Sequence, residues 1–425
     1  MKTYINPERK QWSELAKRPA METDYLRSTI QNILDGVKKG GDKAIIEFTE
    51  RFDGVKLDDL EFPKSKWENY TNNLPAELKK AIQTAANNIK SFHQPQLNKP
   101  FLVETMPGVK CWRKPVAIEK VGLYIPGGTA PLFSSVLMMA IPAQIAGCKE
   151  TILCTPPDKN GNVHPAIVYA ALITNVDRIF LAGGAQAIAA MAFGTETIPK
   201  TDKIYGPGNQ FVTTAKQMVS EQGVAIDMPA GPSEVLVLAD TSANPDYIAA
   251  DLLSQAEHGA DSQVILSTND PSLSGKVNTA IENQIAALPR KEVAQKALLN
   301  SKIVVFEDFE TAIDFSNTYA PEHLIIQANN LEQVAEKINH AGSVFLGPYT
   351  PESAGDYASG TNHTLPTNGY ARAFSGLSVE SFVKYITFQE ITREGLENIG
   401  DTIEIMAKFE ELDAHKNAVS IRRKS

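Results

Sequence analysis

From Pro115 onward, short β-branched runs alternate with helical stretches of roughly 10 to 15 residues, and no other feature narrows the possible folds so far. Strand runs read at Lys120-Val-Gly-Leu-Tyr-Ile, Glu150-Thr-Ile-Leu-Cys, Arg178-Ile-Phe-Leu-Ala, Lys203-Ile-Tyr and Val224-Ala-Ile-Asp, with helices predicted over residues 134–146, 166–174, 185–193 and 210–220. A second series begins at Glu234-Val-Leu-Val-Leu-Ala and continues through Gln263-Val-Ile-Leu-Ser, Lys302-Ile-Val-Val-Phe, Leu324-Ile-Ile-Gln and Ser343-Val-Phe-Leu-Gly. The fold class that follows is α/β, with two Rossmann-like parallel-sheet halves. Ligands in open α/β sheets sit beyond the carboxyl ends of strands, so the join near residues 229–233 is the expected crevice.

The flanks read differently. Residues 24–96 carry apolar positions at every third or fourth place, as in Tyr25-Leu-Arg-Ser-Thr-Ile-Gln-Asn-Ile-Leu, and predict helices. The expected division is a helical N-terminal subdomain over 24–105, α/β domains over 110–233 and 234–375, and a helical C-terminal tail over 376–425, with residues 1–23 packing on either half. His93, beside Gln94-Pro95, reads as a loop residue. The Gly-, Ser-, Thr- and Pro-rich stretch 348–376 reads as one long loop, too long for a passive connection, and holds Asp356, His363 and Arg372. Residues 379–415 read as helices too few to fold alone, which must pack on something, a second subunit included. The basic end at 421–425 reads as solvated.

Composition excludes several classes. A net charge of −9 argues against binding a nucleic-acid backbone. The first residues lack the apolar core of a signal peptide, and no run approaches a bilayer span of ~20 residues, so a cytoplasmic protein with no membrane contact is expected. Cys111, Cys148 and Cys154 are odd in number and lack CxxC spacing, which indicates buried thiols in place of a disulfide framework or a thiolate zinc site.

Several places carry chemistry that packing does not demand. Gln255 and His258 lie about one turn apart at a predicted helix end closed by Gly259, a spacing that suits a shared ligand and equally suits a histidine satisfied by a loop carbonyl. Glycine-rich turns follow three strands, at Pro126-Gly-Gly128-Thr129, Gly183-Gly184-Ala-Gln186 and Gly206-Pro-Gly208-Asn209. Each could be a plain tight turn; three in succession suit a backbone that approaches an anionic ligand near helix N-termini. Glu322 and His323 offer two adjacent proton-transfer groups, although chain neighbours often point apart. Asp356 and His415 add donors that suit Zn2+, and spacing cannot prove a site drawn from such distant positions. His164 and His340 read as helix-end or surface residues.

Read together, Gly122-Leu-Tyr-Ile-Pro-Gly-Gly, Ala182-Gly-Gly-Ala-Gln-Ala-Ile-Ala-Ala, Tyr205-Gly-Pro-Gly-Asn, Ala230-Gly-Pro-Ser-Glu, Gln255-Ala-Glu-His-Gly, Ala320-Pro-Glu-His-Leu and Ala414-His-Lys-Asn-Ala resemble the histidinol dehydrogenase family, in order along nearly the whole chain. The resemblance implies a zinc-containing, NAD-dependent oxidation of L-histidinol to L-histidine in a homodimer. Carried onto this sequence, it makes Gln255, His258, Asp356 and His415 the zinc ligands and Glu322 and His323 the acid/base pair. Ser233, His323 and Glu410 become substrate contacts, together with the four zinc ligands, and Tyr124, Gln186 and Asn209 become NAD contacts. It also implies that the C-terminal tail reaches the partner's site, so that Glu410 and His415 act in trans, and it puts His363 nearby.

Those roles make chemical sense. His323, with an ordinary pKa of ~6.5, suits removal of the alcohol proton, and Glu322 suits activation of the water that must add to the aldehyde. Zinc would orient the substrate's imidazole and amino nitrogens. A related dehydrogenase acting on another small alcohol, or a two-lobed binding protein without chemistry, would share the α/β halves. The first is disfavoured by Ser233 and Glu410, the second by the Glu322-His323 pair.

Overall fold

The computed structural model describes residues 1–19, 23–97, 99–127, 130–228 and 231–424. Two six-stranded sheets carry the molecule. In the first, the strands lie side by side in the order Glu61–Phe62, Arg178–Leu181, Glu150–Thr155, Lys120–Tyr124, Lys203–Tyr205 and Ala225–Ile226. The first of these is antiparallel and the rest are parallel. In the second, all parallel, the order is Lys2–Ile5, Lys302–Val305, Gln263–Thr268, Glu234–Ala239, His323–Gln327 and Ser343–Leu346. With the edge strands Glu61–Phe62 and Lys2–Ile5 set aside, each half numbers 3-2-1-4-5 in its own chain order, so both use one topology.

Burial on both faces explains why the central strands are unbroken apolar runs. Val235 and Val237 face one core and Leu236 and Leu238 the other, as the two-residue period of a strand requires. In the first half, Ile30, Leu34, Ile82 and Ile89 from the helices Thr23–Asp53 and Ala76–His93 enter the same cluster as Val121, Leu123 and Ile152. The predicted N-terminal helices therefore form a layer on the first sheet. His93 is no loop residue: it closes the second of those helices, fully buried, with Nδ1 2.8 Å from the Ile89 carbonyl oxygen.

The helical reading of the chain's end holds over 393–409 and 413–424 and needs a correction before them. Val383–Ile391 is a strand, paired antiparallel with Val109–Ala117, which in turn pairs with Phe101–Met106. Strand preference depends on such partners, and these lie some 270 residues upstream, outside any local window. The helices Arg393–Phe409 and Asp413–Lys424 then pack on each other, and Arg423, expected in solvent, bridges them by pairing with Glu397 and Asp401. This arm leaves large apolar side chains uncovered, with Phe409 83% and Phe101 58% exposed.

Pro126 and Gly208, beyond the carboxyl ends of their strands, line the crevice between the halves together with Ser233 and Glu322, just before the amino ends of theirs, so the crevice meets the carboxyl ends of the first sheet but the amino ends of the second. The carboxyl ends of strands, beyond which the ligand crevice is expected, face it from the first half alone.

Candidate active site

A cavity of about 350 Å³ lies between the halves. Pro126, Ser135, Gly208, Asn209 and Thr213 line it from the first; Ser233, Gln255, His258, Glu322, His323, Asp356 and His363 line it from the second.

Glu322 and His323 arrive through a constrained turn. The helix Phe309–Tyr319 ends at Ala320, which adopts the left-handed φ of 53° that non-glycine residues rarely take, and Pro321 then leads into the strand. Both side chains are buried and both meet the backbone of Glu234 on the adjacent strand. The Glu234 N–H donates to Glu322 Oε2 at 3.0 Å, and His323 Nδ1 lies 3.3 Å from the Glu234 carbonyl oxygen, which can only accept. The proton therefore sits on Nδ1. Nε2 is buried without a hydrogen-bond partner, its nearest carboxylate oxygen being Asp356 Oδ1 at 3.5 Å. The two neighbours expected to serve one substrate do point together.

The stretch around Asp356 is not the open loop expected. Asp356 sits on a short helix, Glu352–Tyr357, and its main-chain carbonyl accepts from His363 Nδ1 at 2.8 Å. His363 Nε2 is then free to accept from Ser135 Oγ at 3.1 Å, which ties the second half to the first. Gln255 lies in the last turn of the helix Pro245–Ala256, while His258 falls just beyond it, its N–H donating to the Gln255 carbonyl at 3.2 Å. The helix stops before Gly259, so that glycine is not its cap.

Glu352 was not legible in the sequence. It is 1% exposed and faces Gln255. With the Gln255 amide turned so that its NH2 donates, Nε2 meets Glu352 Oε2 at 3.2 Å, and the carbonyl oxygen is left directed away from Glu352 as a donor atom. Nothing local marks such a glutamate, since the first turn of a helix is an ordinary place for a solvated acid.

Four carboxylates, Glu322, Glu352, Asp356 and Asp251, share this buried region. Burial pushes Glu322 up to about 8 against the pull of His323. Burial also pulls His323 down, but Glu352, Glu322 and Asp356 outweigh it and push His323 up to about 10. Burial raises Glu352 well above the usual carboxylate range, and raises Asp356 too, although His323, His363 and His258 hold Asp356 below its ordinary value. Desolvation lowers His258 and His363. Such a concentration of acid around neutral donors is the setting of a divalent cation. Gln255, His258 and Asp356 offer an amide oxygen, an imidazole and a carboxylate on one cavity wall. His323, Glu352 and Asp356 also bring one ligand atom each within 4.8 Å of one another.

Around the first sheet, Tyr124 and Gln186 are buried, and the Tyr124 hydroxyl accepts the Gly184 N–H at 2.9 Å. Asn209 caps the helix Gln210–Ser220, its Oδ1 accepting from Phe211 and Val212 at 3.0 and 3.2 Å, and lines the cavity. Gly206 has φ 134°, and any Cβ there would run into the Tyr124 carbonyl oxygen, so the strand ends approach as a ligand-binding turn requires. The expected Gly128-Thr129 turn, and residues 229–230 of the linker, lie outside the described residues. Glu410 and His415 are exposed on the arm and do not line the cavity of their own chain.

The family model for histidinol dehydrogenase matches residues 16–423. The chain belongs to that family. It is 58% identical over 422 residues to the histidinol dehydrogenase of Bacteroides fragilis, covering 99% of each chain. A putative histidine biosynthesis bifunctional protein of Photorhabdus laumondii is 51% identical over 415 residues, which span 97% of this chain and 51% of that one. The crystal structure of histidinol dehydrogenase from Elizabethkingia anophelis superposes with a TM-score of 0.97 at 55% identity, covering 100% of this chain and 98% of that one. With the family comes the coarse activity, that of an oxidoreductase of histidine biosynthesis acting on a small molecule. Among the described residues no helix is long and apolar enough to cross a membrane.

Proposed function

We propose that the cavity carries out the NAD-dependent, four-electron oxidation of L-histidinol to L-histidine through a bound aldehyde, in the cytoplasm. The observation that carries this reading is the bare, buried Nε2 of His323, with Glu322 beside it and a set of metal-type donors across the cavity. We assign zinc to Gln255, His258, Asp356 and His415 of the partner subunit, because Glu352 is engaged with the Gln255 amide and His323 is needed as a base. NAD, held at Tyr124, Gln186 and Asn209, supplies the acceptor for two hydrides, and zinc supplies a fixed attachment for the substrate's nitrogens.

With Asp356 committed to a cation, the carboxylate field that pushes His323 up to about 10 would be weakened, and the neutral imidazole's Nε2 takes the proton of the alcohol O–H as the carbinol C–H leaves as hydride, which gives the aldehyde. Water then adds to that carbonyl: Glu322, which burial keeps a strong base once ionised, takes a proton from the water, and His323 gives the proton on Nε2 to the carbonyl oxygen, which completes the hydrate and frees Nε2 again. His323 takes the hydroxyl proton of the resulting hydrate as the second hydride leaves, and the carboxylic acid remains. Ser233 and Glu410 of the partner subunit hold the substrate's polar groups. The exposed apolar arm supports the homodimer that this assignment needs. The test is stoichiometric: two NADH should form per histidinol consumed, with loss of turnover on chelation and return with Zn2+. One NADH per histidinol, or turnover indifferent to chelation, overturns the reading.

A further inference from the structure

Behind the catalytic pair lies a charge the reaction does not use. Arg18, on the N-terminal segment, is 11% exposed and forms a two-point ion pair with Glu234, itself 1% exposed, with Nε to Oε2 at 2.7 Å and Nη2 to Oε1 at 2.9 Å. The same guanidinium donates to the Tyr319 carbonyl at 2.7 Å and to the Ala320 carbonyl at 3.4 Å, and lies 3.7 Å over the Tyr319 ring. Tyr319 in turn donates from its hydroxyl to Gln263 Oε1 at 3.0 Å and lies within 3.3 Å of Glu234 Oε2.

These contacts converge on two pieces of backbone. One is the Glu234 peptide, whose N–H holds the Glu322 carboxylate and whose carbonyl fixes the His323 tautomer. The other is the left-handed turn at Ala320, two residues before Glu322, which is strained for a residue with a Cβ and persists only if its surroundings hold it. One planar cation tethers both. A lysine, a point charge on a flexible stem, could reach one of these acceptors but not span the carboxylate and two carbonyls together.

We infer that Arg18 is a positioning residue for the reaction: by clamping Glu234 to the Tyr319–Ala320 turn it sets Glu322 and His323 in register with each other. The inference rests on the assignment of that pair as the acid/base groups. Arg18 also lines a solvent-open cleft of about 1000 Å³, which leaves a path for a small cation to reach its place.

Arg18→Ala should lower kcat for histidinol about 10- to 100-fold, the usual loss when an outer partner of a catalytic group is removed. KM for histidinol and bound zinc should stay within about twofold, because no contact assigned to substrate or metal is lost. Millimolar guanidinium should restore part of kcat, and Arg18→Lys should fall between the two. If Arg18→Ala does not fold, Tyr319→Phe gives the same test more mildly, since it removes the hydroxyl beside Glu234 and keeps the ring. Wild-type kcat in the folded Arg18→Ala protein overturns the inference. So does a loss confined to KM or zinc content, or a loss of kcat that neither guanidinium nor lysine relieves. His323→Ala, run alongside, separates the two layers: if it keeps kcat, the assignment of the pair fails; if it loses kcat while Arg18→Ala keeps it, only the role of Arg18 fails.

Discussion

If the fourth zinc ligand comes from the neighbouring subunit, two dead proteins should make a live one. His415→Ala lacks the donor on the arm and His258→Ala the donor on the cavity wall, and each homodimer should be inactive at both sites. In a mixed dimer, the intact His258 of one chain meets the intact His415 of the other, while the second site carries both lesions. Random exchange at equal amounts makes about half of the dimers mixed, and each has one good site of two, so about one quarter of wild-type activity should return. The geometry leaves little room for a cis alternative, because His415 is exposed on the helix Asp413–Lys424, whose neighbours belong to the arm itself. The assay mixes the purified variants under mild denaturant, confirms exchange by mass-tagged subunits, and follows NADH formation with zinc present. No recovery when tagged mixed dimers are seen refutes the trans assignment. Recovery well above one quarter refutes the one-good-site count.

Further outcomes follow from the same geometry. Glu322→Gln keeps an oxygen for the Glu234 N–H but loses the water's base, so overall oxidation should fall by about 10² to 10⁴ while the alcohol-to-aldehyde half is largely spared; equal loss of both halves, measured separately, counts against it. Asp251 is pushed up to about 7 by burial, against a hydrogen bond from Gln327. The folded chain thus holds a proton that the unfolded chain has released, so this group's stabilisation is complete below about pH 3.8 and is lost as pH rises through about 7. Asp251→Asn should flatten that fall by up to a few kcal/mol, at ~1.4 kcal/mol per pH unit, in urea unfolding of chelated protein, and parallel curves would remove the argument. Gly206→Ala should cost about 1 to 3 kcal/mol in the same unfolding assay, because φ 134° and the Tyr124 carbonyl both oppose a Cβ; an unchanged midpoint would show that the turn relaxes freely.

What the sequence made legible follows the range of the forces involved. The parallel halves could be read because a strand buried on both faces writes an unbroken apolar run, as Val235 to Ala239 does, within a few residues of chain. The strand Val383–Ile391 could not, because its partners are far upstream and its face stays open. At the cavity the contrast is sharper. Gln255, His258, Glu322 and His323 stand out as polar groups at the ends of apolar elements, where packing gives no reason for them. Glu352 and Arg18 do the opposite: each sits where solvated charge is ordinary, at a helix start and on an N-terminal segment, and only the tertiary fold turns it inward. Their burial is what gives them leverage, since an ion pair at the surface would be worth little, whereas one enclosed beside Tyr319 must be met at every acceptor or destabilise the site. The groups that face the substrate are therefore the ones a sequence announces. The groups that hold those in register are hidden until the backbone of Glu234 and the turn at Ala320 are seen to share one guanidinium.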